Sequence, residues 1–207
     1  VQRLNRLISD ISDASRLDAE LARDDAEIVE LDKLLRGYRD TYKNISSSGS
    51  KELPTLSLTV EPFAEPGETK SPGGRKRSAS LSPWCVSGHK GRLSQVVANL
   101  IENARTFVPV ENGKIDIRLK SQGSFAVVTI ADNGPGIPPE NTERIFERFY
   151  TDRPANEEFG QYSGMGLSIT RQIIEAHGGT ISADNVEARN GTGAVFTVRL
   201  PLVYATH

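Results

Sequence analysis

Apolar positions along the chain change period several times, and each change marks an element. Near the start, Leu4, Leu7, Ile11, Ala14 and Leu21 recur at alternating spacings of three and four, with Asp18 interrupting the row. Ile8 and Leu17 widen the stripe, while Arg3, Arg6, Asp10, Asp13 and Arg16 take the other faces. This is the seam of a coiled-coil or bundle helix. Its narrowness and regularity predict pairing with another copy of the chain, although a helix packed on its own domain would use the same residues. A polar linker, Ala22–Glu27, is expected before a second amphipathic helix over roughly Glu30–Asn44. Ile28, Leu31, Leu34, Leu35, Tyr38 and Tyr42 would form its buried side.

Farther along, Leu56–Val60 alternates like a strand, and Trp84-Cys85-Val86, ending at Gly88, is its expected partner. The stretch between them, about residues 62–83, is rich in Pro, Gly and Ser and carries the basic run Arg75-Lys76-Arg77. Such composition buries too little surface to stay folded, so a mobile loop is expected, with docking or modification as the other use of the basic run. From Arg92, the residues Leu93, Val96, Val97, Leu100, Ile101 and Ala104 draw one continuous helical face. Lys114–Lys120 and Ser124–Ala131 read as strands joined at Gln122-Gly123, the first alternating as in a sheet with one solvated face. Ile145–Tyr150 reads as a short helix tucking Phe146 and Phe149 into a core. A polar stretch, Thr151–Ser163, then precedes a helix over Ser168–His177, closed by Gly178-Gly179. Thr180–Ala183 and Ala194–Leu200 supply two last strands, with Gly191-Thr192-Gly193 turning between them.

Composition narrows the classes. A chain of 207 residues with net charge −2 and pI about 6.0 has no global basic field to recruit nucleic acid or a membrane surface. A single cysteine, Cys85, excludes an intramolecular disulfide and fits a reducing compartment. No apolar run approaches the roughly 18–20 residues that span a bilayer, so this piece is expected to lie in the cytoplasm and outside the membrane. The chain opens at Val1 inside the helical seam, so a longer parent is expected.

Chemistry concentrates where the strand Ala126–Ala131 runs into Asp132-Asn133-Gly134-Pro135-Gly136-Ile137. A carboxylate at a strand end can accept a hydrogen bond from a ligand's amino group, and flanking glycines let main chain approach a flat ring. An ordinary turn would use the same residues. Asn99 and Asn103 lie one helical turn apart and share a face; paired amides suit a cation whose other ligands are waters and phosphate oxygens, or they are surface asparagines. Gly164-Met165-Gly166-Leu167 feeds a helix N-terminus, which offers N–H groups to phosphate, or is a tight loop.

Taken in order, NLIENA, DNGPGI, FERFY, GMGLSI and GTGAVF resemble the N, G1, F, G2 and G3 boxes of the ATP-binding domain of sensor histidine kinases. That domain belongs to the superfamily shared with gyrase B, Hsp90 and MutL. The resemblance covers nearly the whole chain apart from about residues 62–83. Within it, RLISDISDASRLDAEL and FERFYTDRP are similar to the ChvG/ExoS branch of bacterial envelope sensors. It implies an α+β fold: a two-layer α/β sandwich, with a mixed sheet covered by helices on one face, preceded by the coiled-coil or bundle helix. Residues 1–24 would be the second helix of a dimerisation and phosphotransfer hairpin, and residues 25–207 the catalytic domain.

The resemblance also implies roles. Asp132 would accept the adenine amino group of ATP, and Asn103, aided by Asn99, would hold Mg²⁺. Gly134, Gly136 and Ile137 would approach the nucleotide, and Phe146 and Phe149 would anchor the base of a lid. Gly164, Met165, Gly166 and Leu167 would cradle phosphate, with Thr192 contributing from the last box. Arg148 or Arg153 would offset charge on the transferring phosphoryl group.

The ATPase relatives carry Glu where this chain has Asn99, and Asn cannot serve as the base that activates water. Transfer to a histidine is therefore favoured over hydrolysis. The alternatives are an ATPase clamp and a catalytically silent nucleotide-binding module. Where many kinases of the family have a lysine after the second Asn, this chain has Thr106 beside Arg105. His89, His177 and His207 do not sit in the H-E/D-[LIF]-[KR] setting of a phosphoacceptor, so that histidine is expected outside this sequence. A homodimer through the first helix, a response regulator as partner and a bacterial inner-membrane parent complete the implied picture.

Overall fold

The computed structural model describes residues 26–48, 53–63, 82–150, 164–188 and 191–203. The first helical seam, the basic run, most of the 62–83 loop, the Thr151–Ser163 segment and Arg153 lie outside the described residues.

The described residues form two sheets. In the larger, strands β2 (Thr55–Val60), β4 (Lys114–Gln122), β5 (Phe125–Asp132), β7 (Gly191–Pro201) and β6 (Thr180–Ala188) lie side by side in that order. Only the β2–β4 pair is parallel; the others are antiparallel. The strands alternate as expected: Ile115, Ile117 and Leu119 are fully buried while Lys114, Asp116, Arg118 and Lys120 face solvent. Register aligns the inward residues across the sheet, with Ile117 opposite Ile130, Ile130 opposite Phe196, and Val128 opposite Val198.

Helices α2 (Lys90–Phe107) and α3 (Gly166–Ala176) cover that face. α2 buries the stripe Leu93, Val96, Val97, Leu100, Ile101 and Ala104, and α3 buries Ile169, Ile173 and Ile174. Burying one such Leu or Ile side chain contributes about 1.5–3 kcal/mol, so these two rows hold the layers together. The mixed sheet with helices on one face agrees with the sequence expectation.

The N-terminal half differs from it. Glu27–Glu30 is not linker and helix start but a strand, β1, paired antiparallel with β3 (Cys85–Gly88) in a separate two-stranded sheet. Ile28, Leu31 and Leu35 have helical spacing, which hides the strand. Extended backbone instead sends alternate residues to opposite sides, so Val29 is 3% exposed and Ile28 is 47% exposed. Helix α1 then runs Leu31–Ser48 and buries Leu31, Leu35 and Tyr42, with the Tyr42 hydroxyl donating to the Pro54 carbonyl at 3.2 Å.

The expected pairing of Leu56–Val60 with Trp84–Val86 does not occur either. β2 joins the edge of the large sheet beside β4, where Leu56 meets Ile115. β3 is instead stitched to the end of β7 by a bridge between Val86 and Leu202 and by the Val203 N–H donating to the Cys85 carbonyl at 2.8 Å. The last two strands are longer than read, and residues 191–193 belong to β7 rather than to a turn.

At the end of α3, Gly178 adopts φ +67° and the N–H groups of Gly178 and Gly179 return to the carbonyls of Glu175 and Ile174, both at 2.9 Å. A cationic His177 would suit the helix C-terminus, but the hydrogen bonds hold its ring neutral. Nδ1–H donates to the Ile173 carbonyl at 2.6 Å, and Nε2 accepts the backbone N–H of His89 at 3.0 Å. Burial, and the neighbouring His89, push the His177 ring below the usual imidazole range, against the Ile173 hydrogen bond. His89 packs edge-on to His177 with ring centroids 5.6 Å apart.

A histidine depressed in the folded state binds its proton more readily when unfolded, so stability rises with pH between the folded and unfolded values. Wild-type stability is therefore expected to fall as pH drops below about 6.5, and His177→Gln is expected to flatten that slope in urea titrations at stepped pH. An unchanged slope in the variant would remove His177 as its source.

Candidate functional site

β5 delivers Asp132 to the edge of the helical layer. Its Oδ1 accepts the backbone N–H of Gly134 at 2.8 Å and that of Ala194 in β7 at 3.2 Å. Burial pushes the carboxyl above the usual carboxylate range, against the pull of these two bonds. Both described bonds fall on Oδ1, which leaves Oδ2 to accept from a ligand. The bond from Gly134, two residues on, is that of an Asx turn; the half-buried carboxylate thus shapes the turn with one oxygen and keeps the other available.

The glycines around it serve mainly close packing. A Cβ on Gly134 would lie 2.8 Å from the Phe107 carbonyl at the end of α2 and 2.9 Å from Asp132 Oδ1. On the side where a Cβ would stand, the space beside Gly134 is filled by the Phe107 main chain and the Asp132 carboxylate. A Cβ on Gly193 would lie 1.9 Å from the Asp132 carbonyl oxygen, so only glycine lets β7 come close enough for Ala194 to reach the carboxylate. Gly136 has φ +81°, a conformation that glycine adopts freely. The Gly134–Ile137 turn is then held from β6: the Asn185 side chain accepts the Ile137 N–H and donates to the Ile137 carbonyl, both at 2.7 Å.

Along α2, Phe107 abuts Gly134 and Asn99 abuts the start of α3. Asn99 Nδ2 donates to the Gly166 carbonyl at 3.1 Å and to Thr170 Oγ1 at 3.3 Å, and Thr170, itself fully buried, returns to the same carbonyl at 2.8 Å. With Nδ2 engaged, Asn99 presents Oδ1. Asn103, one turn on, is half-buried, and its side chain makes no hydrogen bond with the described residues. From Asn99 to Phe107 the helix rises about 12 Å, so a ligand reaching both ends is elongated. Thr106 turns its hydroxyl back to the Glu102 carbonyl at 2.8 Å, and Arg105 grips the Glu102 carboxylate at 2.8 and 2.6 Å.

The segment after Asp132 splits the two phenylalanines. Arg144–Phe146 is a short 3-10 turn. Phe146 is buried, edge-on to Phe196 at 6.3 Å and capped by the Arg171 guanidinium at 4.1 Å, while Arg171 also pairs with Glu143 at 2.9 Å. Phe149, expected in the core, is 54% exposed with φ +66°. The 3-10 turn ends at Phe146, so residues 146 and 149 do not share a helical face. The Phe149 N–H donates to the Gly164 carbonyl at 3.1 Å, and Gly164, at φ +71°, leaves no room for a Cβ against Phe149 and Tyr150. These contacts join the two ends of the 151–163 segment.

α3 opens at Gly166 with no side-chain cap and no acidic residue in its first turn, so its leading N–H groups are available to an anion. Met165 is buried and presents main chain alone; Leu167 is half-buried. Thr192 lies in β7 opposite Glu187. Arg148 is exposed at the base of the 151–163 segment and has no ion pair among the described residues. No three His, Cys, Asp or Glu side chains cluster among the described residues, so a cation here would rest on the Asn99 and Asn103 amides and on ligand oxygens. That donor set fits Mg²⁺, which keeps several waters and few protein ligands.

A sheet backed by two helices, with an acidic strand end, an asparagine-bearing helix and a glycine turn converging on it, defines a class. Residues 88–204 match the histidine kinase-, DNA gyrase B-, and HSP90-like ATPase family, and the chain belongs to it. It is 51% identical over 203 residues to sensor protein ChvG of Agrobacterium fabrum, covering 97% of this chain and 31% of that protein. The same identity holds to sensor protein ChvG of Rhizobium meliloti, with 97% and 32% covered. The chain thus spans about a third of the length of these curated relatives. Among solved structures, a mycobacterial sensor histidine kinase, MprB, superposes with TM-score 0.63 at 25% identity, covering 86% of this chain and 97% of that one. No helix among the described residues is long and apolar enough to cross a membrane.

Proposed function

We propose that this chain is the ATP-binding, catalytic part of a two-component sensor kinase, passing the γ-phosphoryl group of ATP to a histidine outside this sequence for relay to a response-regulator aspartate. The observation that carries it is Asp132, whose Oδ1 is held by two backbone N–H groups while Oδ2 is left to accept the adenine amino group. Asn103 and Asn99 offer amide oxygens to Mg²⁺, and the free N–H groups at the start of α3 receive phosphate oxygens. Bound Mg²⁺ supplies charge compensation to the triphosphate. Arg148, exposed beside the 151–163 segment, or Arg153 would offset charge that develops on the phosphoryl group. Phosphoryl transfer needs positioning and charge stabilisation more than a protein nucleophile.

The acceptor reading over the hydrolytic one rests on α2. Its single acidic side chain, Glu102, is gripped by Arg105 at 2.8 and 2.6 Å. Asn99 is tied to Gly166. An amide at 99 cannot take a proton from water. His177 has both ring nitrogens engaged, which supports an acceptor elsewhere. Residues 1–24 act as part of the dimerisation hairpin and residues 25–207 as the catalytic domain, in the cytoplasm, with an inner-membrane parent that works as a homodimer.

The test supplies γ-labelled ATP with Mg²⁺ and a separate hairpin bearing the acceptor histidine. Label on the hairpin, with little phosphate released in its absence, is expected. Steady release without the hairpin would favour the ATPase clamp, and tight binding with no transfer would favour the silent module.

A further inference from the structure

One face of β6 carries Ile181, Ala183 and Asn185 in turn, and it becomes polar at Asn185, where an amide sits opposite Ala194 of β7. That amide does not face solvent. It is half-buried and closes a two-bond ring on the main chain of Ile137, with the Ile137 N–H and carbonyl each 2.7 Å from it. The rung Asn185–Ala194 therefore holds the site twice. Ala194 fixes the Asp132 carboxylate through its N–H, and Asn185 fixes the turn that follows Asp132 through its side chain. The peptide so held comes directly after Gly136 at φ +81°. A glycine there has wide conformational choice in the absence of an outside restraint, and Asn185 is that restraint. Only a group with a donor and an acceptor at amide spacing can make both bonds.

We infer that Asn185 is a positioning residue for nucleotide recognition: its amide clamps the main chain of Ile137 and holds the Gly134–Ile137 turn in the shape that receives the adenosine end of the ligand. This rests on the nucleotide-binding reading above. Because the clamp acts at the adenosine end, its loss weakens ATP and ADP by the same factor, whereas a defect at the phosphate end separates them. Aspartate at 185 distinguishes the clamp from mere filling of space. Its ionised carboxylate accepts from the Ile137 N–H but repels the Ile137 carbonyl; its protonated form has an O–H donor beside an acceptor and restores both bonds.

The experiment is calorimetric titration of ATP and ADP into the full chain, wild type, Asn185→Ala and Asn185→Asp, at stepped pH, with amide exchange at Ile137 followed by NMR. Two neutral hydrogen bonds are at stake, so Asn185→Ala is expected to weaken both nucleotides about tenfold and to speed exchange at Ile137. Asn185→Asp is expected to be weak at pH 8 and to close on wild type, measured at the same pH, as the solution is acidified. Binding by Asn185→Ala within twofold of wild type, with Ile137 exchange accelerated, would overturn the inference, since the turn would then be receptive without its clamp. An Asp variant whose ratio to wild type ignores pH would overturn it too, and does so even where the Ala variant folds poorly. Failure of the wild type to bind either nucleotide overturns the nucleotide site itself and the inference with it.

Discussion

Asp132→Asn is expected to weaken Mg-ATP binding roughly ten- to a hundredfold while leaving the unliganded chain at least as stable as wild type. The affinity loss follows from where the donors already point. Gly134 and Ala194 both donate to Oδ1, so an asparagine must turn its carbonyl oxygen to them and its NH₂ outward. The adenine amino group then meets a donor where it needs an acceptor. A lost charge-assisted hydrogen bond costs about 1.5–3 kcal/mol, which sets the range in Kd. Stability moves the other way. Burial raises the folded-state pKa of Asp132, so proton uptake stabilises the fold fully below the unfolded value, and that contribution is lost as pH rises through the folded one. At neutral pH the charged form therefore bears a desolvation cost that asparagine removes.

The same logic predicts that wild-type affinity falls on acidification, as the carboxylate gains a proton, while the asparagine variant stays flat. Calorimetry across pH together with urea denaturation checks both halves. A variant that loses binding and stability together would mean Asp132 is a structural residue whose loss unfolds the site.

What the chain disclosed before folding was what local periodicity can carry. Ile115, Ile117 and Leu119 alternate because one face of β4 is dry and the other wet, and the α2 stripe recurs at helical spacing for the same reason. Asp132 stood out because a carboxylate and two glycines ended a β-branched run. Less legible were features that exist only between elements. Glu27–Glu30 is too short and charged to declare a strand, and its Ile28 falls in step with the helix that follows. β3 found its partners in β1 and in Leu202, neither of which is near it in sequence. Phe149 was read by analogy with Phe146, but the chain leaves the 3-10 turn between them. Asn99 was read as facing a cation; that its Nδ2 also ties α2 to α3 depends on Gly166 lying alongside. Asn185 escaped notice because its strand was ended at Ala183, one alternation early.

Gly193 shows how a motif glycine can be recognised without its reason being visible, and it carries the larger structural prediction. Gly193→Ala is expected to destabilise the chain by about 3 kcal/mol or more, at the upper end of overpacking costs. An ideal Cβ there lies 1.9 Å from the Asp132 carbonyl oxygen and 3.0 Å from its carbonyl carbon. Both neighbours are backbone where β5 ends beside β7, so no side chain can swing aside; β7 must draw back from the end of β5. That retreat stretches the Ala194 N–H contact to Asp132, already 3.2 Å, and ATP affinity should fall with stability. Gly37 supplies the control: it lies exposed within α1 with nothing near its missing Cβ. There the ordinary preference of a helix for alanine applies, and Gly37→Ala should stabilise by about 1 kcal/mol. Paired urea denaturations and ATP titrations decide the matter. A Gly193→Ala chain within about 1 kcal/mol of wild type, well below the overpacking range, with Asp132 still binding nucleotide, would show that β7 can yield without disturbing the carboxylate. The close approach would then be incidental to the site.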